Sequence, residues 1–191
     1  MTVIRPAVVI FLMLTLITGI VYPAVVTAVA QFAFPRQANG SIITRDGRPI
    51  GSSLVGQNFA DARYFWPRPS YAGSTGYDAT SGSGSNLAPS NPALADAVRQ
   101  RVATLRSADP GNDQPVPVEL VTASASGLDP HLSPAAVEHQ LSRVARVRGL
   151  SEAQVRTLVQ NHTTRRTLGL LGEPVVNVVE LNLALDEASR H

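Results

Sequence analysis

Apolar and polar positions divide the chain into two unequal parts. From Pro6 to Pro35 there is no charged side chain, and only Thr15, Thr18, Thr27 and Gln31 interrupt the hydrocarbon. About 20 apolar residues suffice for a helix to cross a bilayer core of roughly 30 Å. The pattern therefore predicts a membrane span over about residues 7–30, within an anchor of residues 1–35. A cleaved leader is the rival reading, with Arg5 as its basic start and Ala28-Val29-Ala30 as a small-x-small cleavage site. The apolar core is too long for a leader, and it carries Gly19 and Pro23 in its middle, as retained spans do.

Within the span, Gly19, Pro23, Thr27 and Gln31 recur every four residues and share one helix face. Small and weakly polar residues there allow a second helix to approach closely, and Gln31 offers an amide to it. The bland alternative is a lone span kinked at Pro23. Phe32 and Phe34 suit the far interface.

Beyond the span the periodicity shortens and then lengthens. Ser41-Ile42-Ile43-Thr44 and Pro49-Ile50-Gly51 flank Arg45-Asp46-Gly47-Arg48, a hairpin signal, and Leu54–Phe59 is expected to extend that sheet. From about residue 64 to 92 the chain has no period, only aromatics between prolines followed by Ser, Gly and Asn. A structureless stretch of this length is normally functional or disordered, and Trp66 and Tyr71 require something to pack on. Ser81–Asn86 admits two readings, an anion-cradling run of amides or an ordinary turn-rich loop.

Helical spacing returns at Asn91-Pro92, a cap followed by proline at the first helical position, with Leu94, Val98, Val102 and Leu105 inward. Val116–Ala123 reads as the best strand. Ser133-Pro134 opens a helix to Arg148, burying Val137, Leu141 and Val144, and Gly149 stops it. Ser151 with Gln154 forms a capping box for another helix, buried through Val155, Leu158 and Val159. Six arginines from Arg143 to Arg166, against Glu138 and Glu152, make either a solvated basic face or a docking surface for an acidic partner. The last run alternates like a strand, yet Asn177 and Glu180 resemble a capping box, so a short strand at Val175–Val176 followed by a helix is expected. The fold class predicted is one N-terminal transmembrane helix plus an α+β domain over residues 36–191, with a long loop at about 64–92.

Composition narrows the chemistry. About 155 residues follow the span, one ordinary domain. All sixteen basic residues are Arg. Without Lys there is no P-loop, no Schiff base and no S-x-x-K acyl transfer. A net charge of +2 gives no reason to expect nucleic acid. The four His, at 131, 139, 162 and 191, form no metal-binding spacing, and there is no Cys nucleophile, no G-x-S-x-G and no G-x-G-x-x-G. Catalytic residues, metal sites and stably bound cofactors are expected to be absent. Charge gives no clear orientation, since arginines flank the span on both sides.

Several blocks together resemble one family: Thr18-Gly19-Ile20-Val21-Tyr22-Pro23, Gln37–Ser41, Gly56-Gln57-Asn58-Phe59, Tyr64-Phe65 with Arg68-Pro69-Ser70, and Ser83–Leu87 with Ser90-Asn91-Pro92. Val116–Ser124, Ser126–Asp129, Val176-Asn177 and Leu181–Asp186 complete the order. The chain is similar to KdpC, the small subunit of the bacterial Kdp potassium-transporting P-type ATPase. That resemblance implies a non-catalytic subunit in a complex with a channel-like potassium-binding subunit, an ATP-hydrolysing subunit and often a small fourth peptide. It implies a single span in the bacterial inner membrane, among membrane lipid, with the N-terminus cytoplasmic and the domain extracytoplasmic.

Such subunits are required for assembly and are described as catalytic chaperones that raise the ATP affinity of the ATP-hydrolysing subunit, so that ATP and potassium are handled by the complex. An external domain meets no ATP, so the effect on ATP is expected to be indirect, with direct nucleotide binding near Ser81–Asn86 the lesser reading. The domain is expected to cap the potassium entrance through its long loop. Two sets of partner-binding residues follow: Gly19, Pro23, Thr27 and Gln31 in the span, and Gln57, Asn58, Tyr64, Trp66, Arg68, Ser83 and Asn86 outside. The competing class is an independent membrane-anchored extracytoplasmic module, binding or enzymatic, that works when cut free of residues 1–35.

Overall fold

The computed structural model describes residues 3–189. The chain falls into two compact units that divide between Ser52 and Ser53.

The first unit is led by an apolar helix running from Ile4 to Ala33, none of whose spanning window is buried against the rest of the chain. A core helix of a water-soluble domain would be covered; this one carries its apolar surface outward and is long enough to cross a membrane. It comprises α1 (Ile4–Leu16), a π turn (Ile17–Val21) and α2 (Tyr22–Ala33). The π turn lies where Pro23 has no N–H for the carbonyl of Gly19 and its ring crowds that carbonyl. Widening by one residue relieves the clash, and Tyr22 N–H reaches back to Ile17 O. Thr15 and Thr18 donate their hydroxyls to Phe11 O (2.8 Å) and Leu14 O (2.7 Å), so neither presents a bare polar group to lipid.

After a single turn, α3 (Pro35–Ala38), strands β1 (Ile42–Arg45) and β2 (Arg48–Ser52) form the expected hairpin. Asp46 and Gly47 both have positive φ (52° and 74°), the geometry that a two-residue type I′ turn demands. Leu54–Phe59 does not extend this sheet. Gly56 N–H instead donates to Leu128 O (2.8 Å), which ties the segment to the second unit.

The second unit is α+β. Helices α4 (Pro92–Ala108), α5 (Pro134–Arg148), α6 (Glu152–Asn161) and α7 (Val178–Ala188) surround one core. A small antiparallel sheet joins β3 (His131–Leu132), β5 (Val175–Asn177) and β4 (Thr163–Thr164) in the order β3-β5-β4. Its register pairs Leu132 and Thr163 with Val176 from either side. The buried cluster draws Phe65, Leu132, Val137, Leu141, Val144, Val155, Val176, Leu181 and Leu185 together.

The helix signals act as expected. Asn91 accepts from Ala93 N, Ser133 from Ala136 N, and Ser151 and Gln154 complete a reciprocal capping box. Gly149 takes the left-handed conformation that ends α5 (φ 67°). Asn177 caps α7 through Val179 N and Glu180 N, so the terminal run is a short strand and then a helix.

Three further expectations fail in whole or in part. Val116–Ala123 is not a strand but a single 3-10 turn over Val118–Leu120. Pro115 and Pro117 remove ladder donors, and Leu120 and Val121 are buried in succession, which alternation cannot do. On α4 only Leu105 is buried; Val98 and Val102 lean on the core from its edge. Of the six arginines, Arg143 and Arg148 leave the solvated face for the interior, whereas Arg146, Arg165 and Arg166 stay exposed and Arg156 half-exposed. Arg143 is 2% exposed, Arg148 reaches Asp186 (2.9 Å), Arg146 Asp109 (2.6 Å), Arg156 Glu138 (2.5 Å) and Arg166 Glu173 (2.6 Å).

Candidate partner-binding surfaces

The span offers its stripe largely bare. A Cβ added at Gly19 would meet nothing within 4 Å. Gln31 is already engaged: Asn39 donates to its Oε1 (3.1 Å) while also donating to Pro35 O (2.7 Å). That clasp fixes the exit of the helix; Gly19, Pro23 and Thr27 are exposed, as is nearly all of the span.

The long segment after Ser53 contains little regular structure, yet it is pinned throughout. Phe65 is fully buried, and Asn182 of α7 brackets its backbone, accepting from Phe65 N (2.9 Å) and donating to Phe65 O (3.0 Å). Gln140 of α5 treats Trp66 the same way (2.9 and 3.1 Å). Two amide side chains thus do for adjacent residues what a neighbouring strand would do. Arg143 lies 4.5 Å from the Trp66 ring centre and donates to Ala62 O and to Gln140 Oε1 (2.7 Å). Burial pushes its pKa down to about 10, with Asp109 opposing the fall.

The predicted external residues separate into three groups. Tyr64 turns inward, donating to Asp186 (3.1 Å) beneath the Arg148 guanidinium at 4.9 Å. Asn58, Trp66 and Arg68 come together along a cleft of about 320 Å³, also lined by Phe59, Pro67, Tyr77, Arg101 and Thr104. Asn58 reaches Thr75 O across it (3.4 Å). Gln57, Ser83 and Asn86 do not line that cleft.

Arg68 is held by Asp129 (3.4 Å) and by Ala123 O (3.1 Å), while its Nε is buried without a partner. Hydrogen bonding from His131, with Arg68 adding to it, holds the Asp129 carboxyl below the ordinary carboxylate range. Tyr77 donates to Arg68 O (2.6 Å); burial, reinforced by Asp129, raises its hydroxyl pKa well above the usual value near 10.

Ser70 is the hub of this wall, donating to Gly127 O (2.6 Å) and accepting from Ala72 N and Tyr77 N. Sequence reasoning missed Ser70, Tyr77 and Arg101, because they meet only after residues 56–84 fold back on 123–131. The Ser/Gly run has a packing explanation of its own. A Cβ at Gly84 would sit 2.9 Å from Ala125 O, and one at Gly127 (φ 68°) 2.5 Å from Ser83 O. Among the described residues no three His, Cys, Asp or Glu side chains converge on a metal-sized site, and His191 lies outside them.

The comparisons with known proteins fit this arrangement. The family described as "KdpC: K+-transporting ATPase, c chain" matches residues 4–187, from the start of the apolar helix into α7. The chain belongs to the KdpC family. A relative in Sorangium cellulosum named "Potassium-transporting ATPase KdpC subunit" is 61% identical over 184 residues, covering 96% of this chain and 97% of that protein. Proteins of the same name in Polaromonas naphthalenivorans (60% over 184 residues; 96% and 94%) and Dechloromonas aromatica (54% over 189; 99% of each) are similar in the same way. The KdpC match takes in the span, the hairpin and the α+β unit together.

Proposed function

We propose that the chain is a non-catalytic, single-span accessory subunit of an ATP-driven potassium uptake complex. It serves assembly and raises the ATP affinity of the ATP-hydrolysing subunit. The observation that carries this reading is the extent of the family match, residues 4–187, which takes in the span and the domain together. The N-terminus is cytoplasmic and the domain extracytoplasmic, in the bacterial inner membrane. Gly19, Pro23 and Thr27 pack against a membrane helix of the potassium-binding or ATP-hydrolysing subunit, and the cleft side of the domain caps the potassium entrance.

ATP never reaches an extracytoplasmic domain, so the effect on nucleotide affinity is a coupling free energy. The subunit binds one conformer of the complex better than another, and that conformer holds ATP more tightly. Coupling of this kind is reciprocal. If the subunit raises ATP affinity by some factor, ATP raises the complex's affinity for the subunit by the same factor.

The test is co-expression of the tagged full-length chain with the other subunits, purification in mild detergent, and potassium-stimulated ATPase assays with and without the chain. Co-purification of a P-type ATPase whose apparent ATP affinity falls when the chain is removed supports the proposal. A chain that purifies alone, with ATPase activity indifferent to it, overturns the proposal and favours an independent anchored module.

A further inference from the structure

The π turn in the middle of the span leaves one backbone acceptor without its donor. In a regular helix the carbonyl of Thr18 accepts from the N–H four residues on, that of Tyr22. Here Tyr22 N–H goes to Ile17 O instead. Five residues on from Thr18 stands Pro23, which has no N–H to give. Val21 belongs to the same widened turn, whose N–H groups reach five residues back. Thr18 O thus loses both donors that α or π geometry would bring to it. Gly19 O fares better, because the widening sets Ala24 N–H at the π spacing from it. The vacancy that Pro23 creates has passed from Gly19 to Thr18.

The nearby hydroxyls do not fill it. Thr15 and Thr18 commit theirs to Phe11 O (2.8 Å) and Leu14 O (2.7 Å), and none of the spanning window is buried against another described part of the chain. Depth removes water as the remedy. Of the helix Ile4–Ala33, fourteen residues precede Thr18 and fifteen follow it, so the carbonyl lies at the middle of the hydrocarbon. Lipid tails carry no donor, and an unmet backbone group is costly there. Gly19 beside it has no side chain to cover it, and a Cβ at that position would meet nothing within 4 Å. Apolar surface alone would accept lipid or any helix. An acceptor at this depth accepts only a surface that carries a donor.

We infer that Thr18 O accepts a hydrogen bond from a hydroxyl or amide side chain (Ser, Thr, Asn or Gln) on a membrane helix of another subunit of the same complex. Gly19 is the gap through which that side chain approaches. The inference rests on the subunit reading above and gives the span contact its chemistry: one donor, delivered at the π turn.

The experiment uses the full-length chain in the co-expressed complex, with benzoylphenylalanine in place of exposed Tyr22, one turn beyond Thr18. Mass spectrometry should place the crosslink on a membrane helix of another subunit, with a Ser, Thr, Asn or Gln within one turn of the attached residue. In parallel, Pro23→Ala restores an N–H at position 23 and lets the helix close regularly, so that the chain satisfies Thr18 O itself. Co-purification should then weaken about three- to tenfold, the contribution of one interhelical hydrogen bond. Replacing the partner's donor by Ala should cause the same loss, and the two changes together should lose little more than either alone. Four results overturn the inference and leave the subunit reading intact: crosslinks to lipid alone, a partner turn without such a side chain, a Pro23→Ala chain that assembles like wild type, or full additivity of the two losses. Failure of the wild-type chain to co-purify overturns both.

Discussion

Replacing Asn182 tests whether the long segment is held in the way the structure indicates. Asn182 is fully buried, and its amide satisfies both polar groups of Phe65, a residue with no exposed surface of its own. Asn182→Ala removes two hydrogen bonds and strands a buried N–H and a buried C=O. Each orphaned group costs about 1–3 kcal/mol, so a loss of about 3 kcal/mol is expected. That is a large share of the roughly 5–15 kcal/mol that holds an ordinary domain folded. Gln140→Ala should cost a comparable amount, about 3 kcal/mol: water can replace the partner of half-buried Trp66, but the buried Arg143 guanidinium also loses its bond to Gln140 Oε1.

The sharper expectation is non-additivity. Phe65 and Trp66 are consecutive, so once one bracket opens the segment lifts and the second has less to hold. The double variant should fall short of the sum of the singles by about 1 kcal/mol. Trp66 is the single Trp of the chain, and its emission reports the segment directly. Urea titration of the full-length chain in mild detergent, followed by that emission, gives all four stabilities. An Asn182→Ala cost below about 1 kcal/mol would refute the bracketing argument. Additivity of the two losses within about 0.3 kcal/mol would refute the shared segment.

Three further outcomes are expected. Tyr77 keeps its proton in the folded chain above the pH near 10 at which the unfolded chain loses it, so stability is full below that pH and declines as pH rises beyond it. Tyr77→Phe should remove this alkaline decline at a cost of about 1 kcal/mol near neutrality for the lost bond to Arg68 O, read by urea titration across pH; an unchanged alkaline limb would count against it. Gly19→Leu meets nothing within the chain, so thermal unfolding of the isolated chain should not move, while co-purification of the complex drops at least tenfold. Thr104→Trp fills the cleft from the exposed face of α4; unfolding should again be unaffected and co-purification reduced, and full assembly would remove the cleft from the docking surface.

What could be read in advance was what is local. Asn91-Pro92, Ser133-Pro134, Ser151 with Gln154, and Asn177 each announce a helix through contacts made within three residues, and all four caps form. The apolar run announces the span by length alone. What escaped depends on distant partners. Strands β3 and β4 have two residues each, too few for any period, and exist because Val176 pairs with both sides. Val116–Ala123 carries strand composition but no partner. Arg143 was misread as surface, although Ala136, Gln140 and Arg143 follow the same i, i+4, i+7 course as Val137, Leu141 and Val144. In the candidate site, Asn58, Trp66 and Arg68 were visible as unusual residues. That Tyr64 and Phe65 serve the interior was not, because their partners stand more than a hundred residues away.

The absence of lysine takes on meaning at this point. Apart from a single bridge at Val55, residues 53–91 form no strand, yet their backbone polar groups, and those they fold against, must be satisfied wherever water is excluded. Arginine supplies much of that. Arg68 donates to Ala123 O (3.1 Å), Arg101 to Val121 O (2.8 Å), Arg143 to Ala62 O and Arg148 to Arg63 O (2.6 Å). Three of the four also lie over an aromatic ring, Arg101 on Tyr71, Arg143 on Trp66 and Arg148 on Tyr64. A planar guanidinium bonds in its plane and stacks on its face at once, and an ammonium does neither as well. The loop segment is thereby fixed without a sheet, by side chains reaching from α4, α5 and α7. A surface held this way is ordered before a partner arrives. That lowers the entropy cost of docking, which is what the role proposed above, binding one conformer of a larger complex better than another, requires.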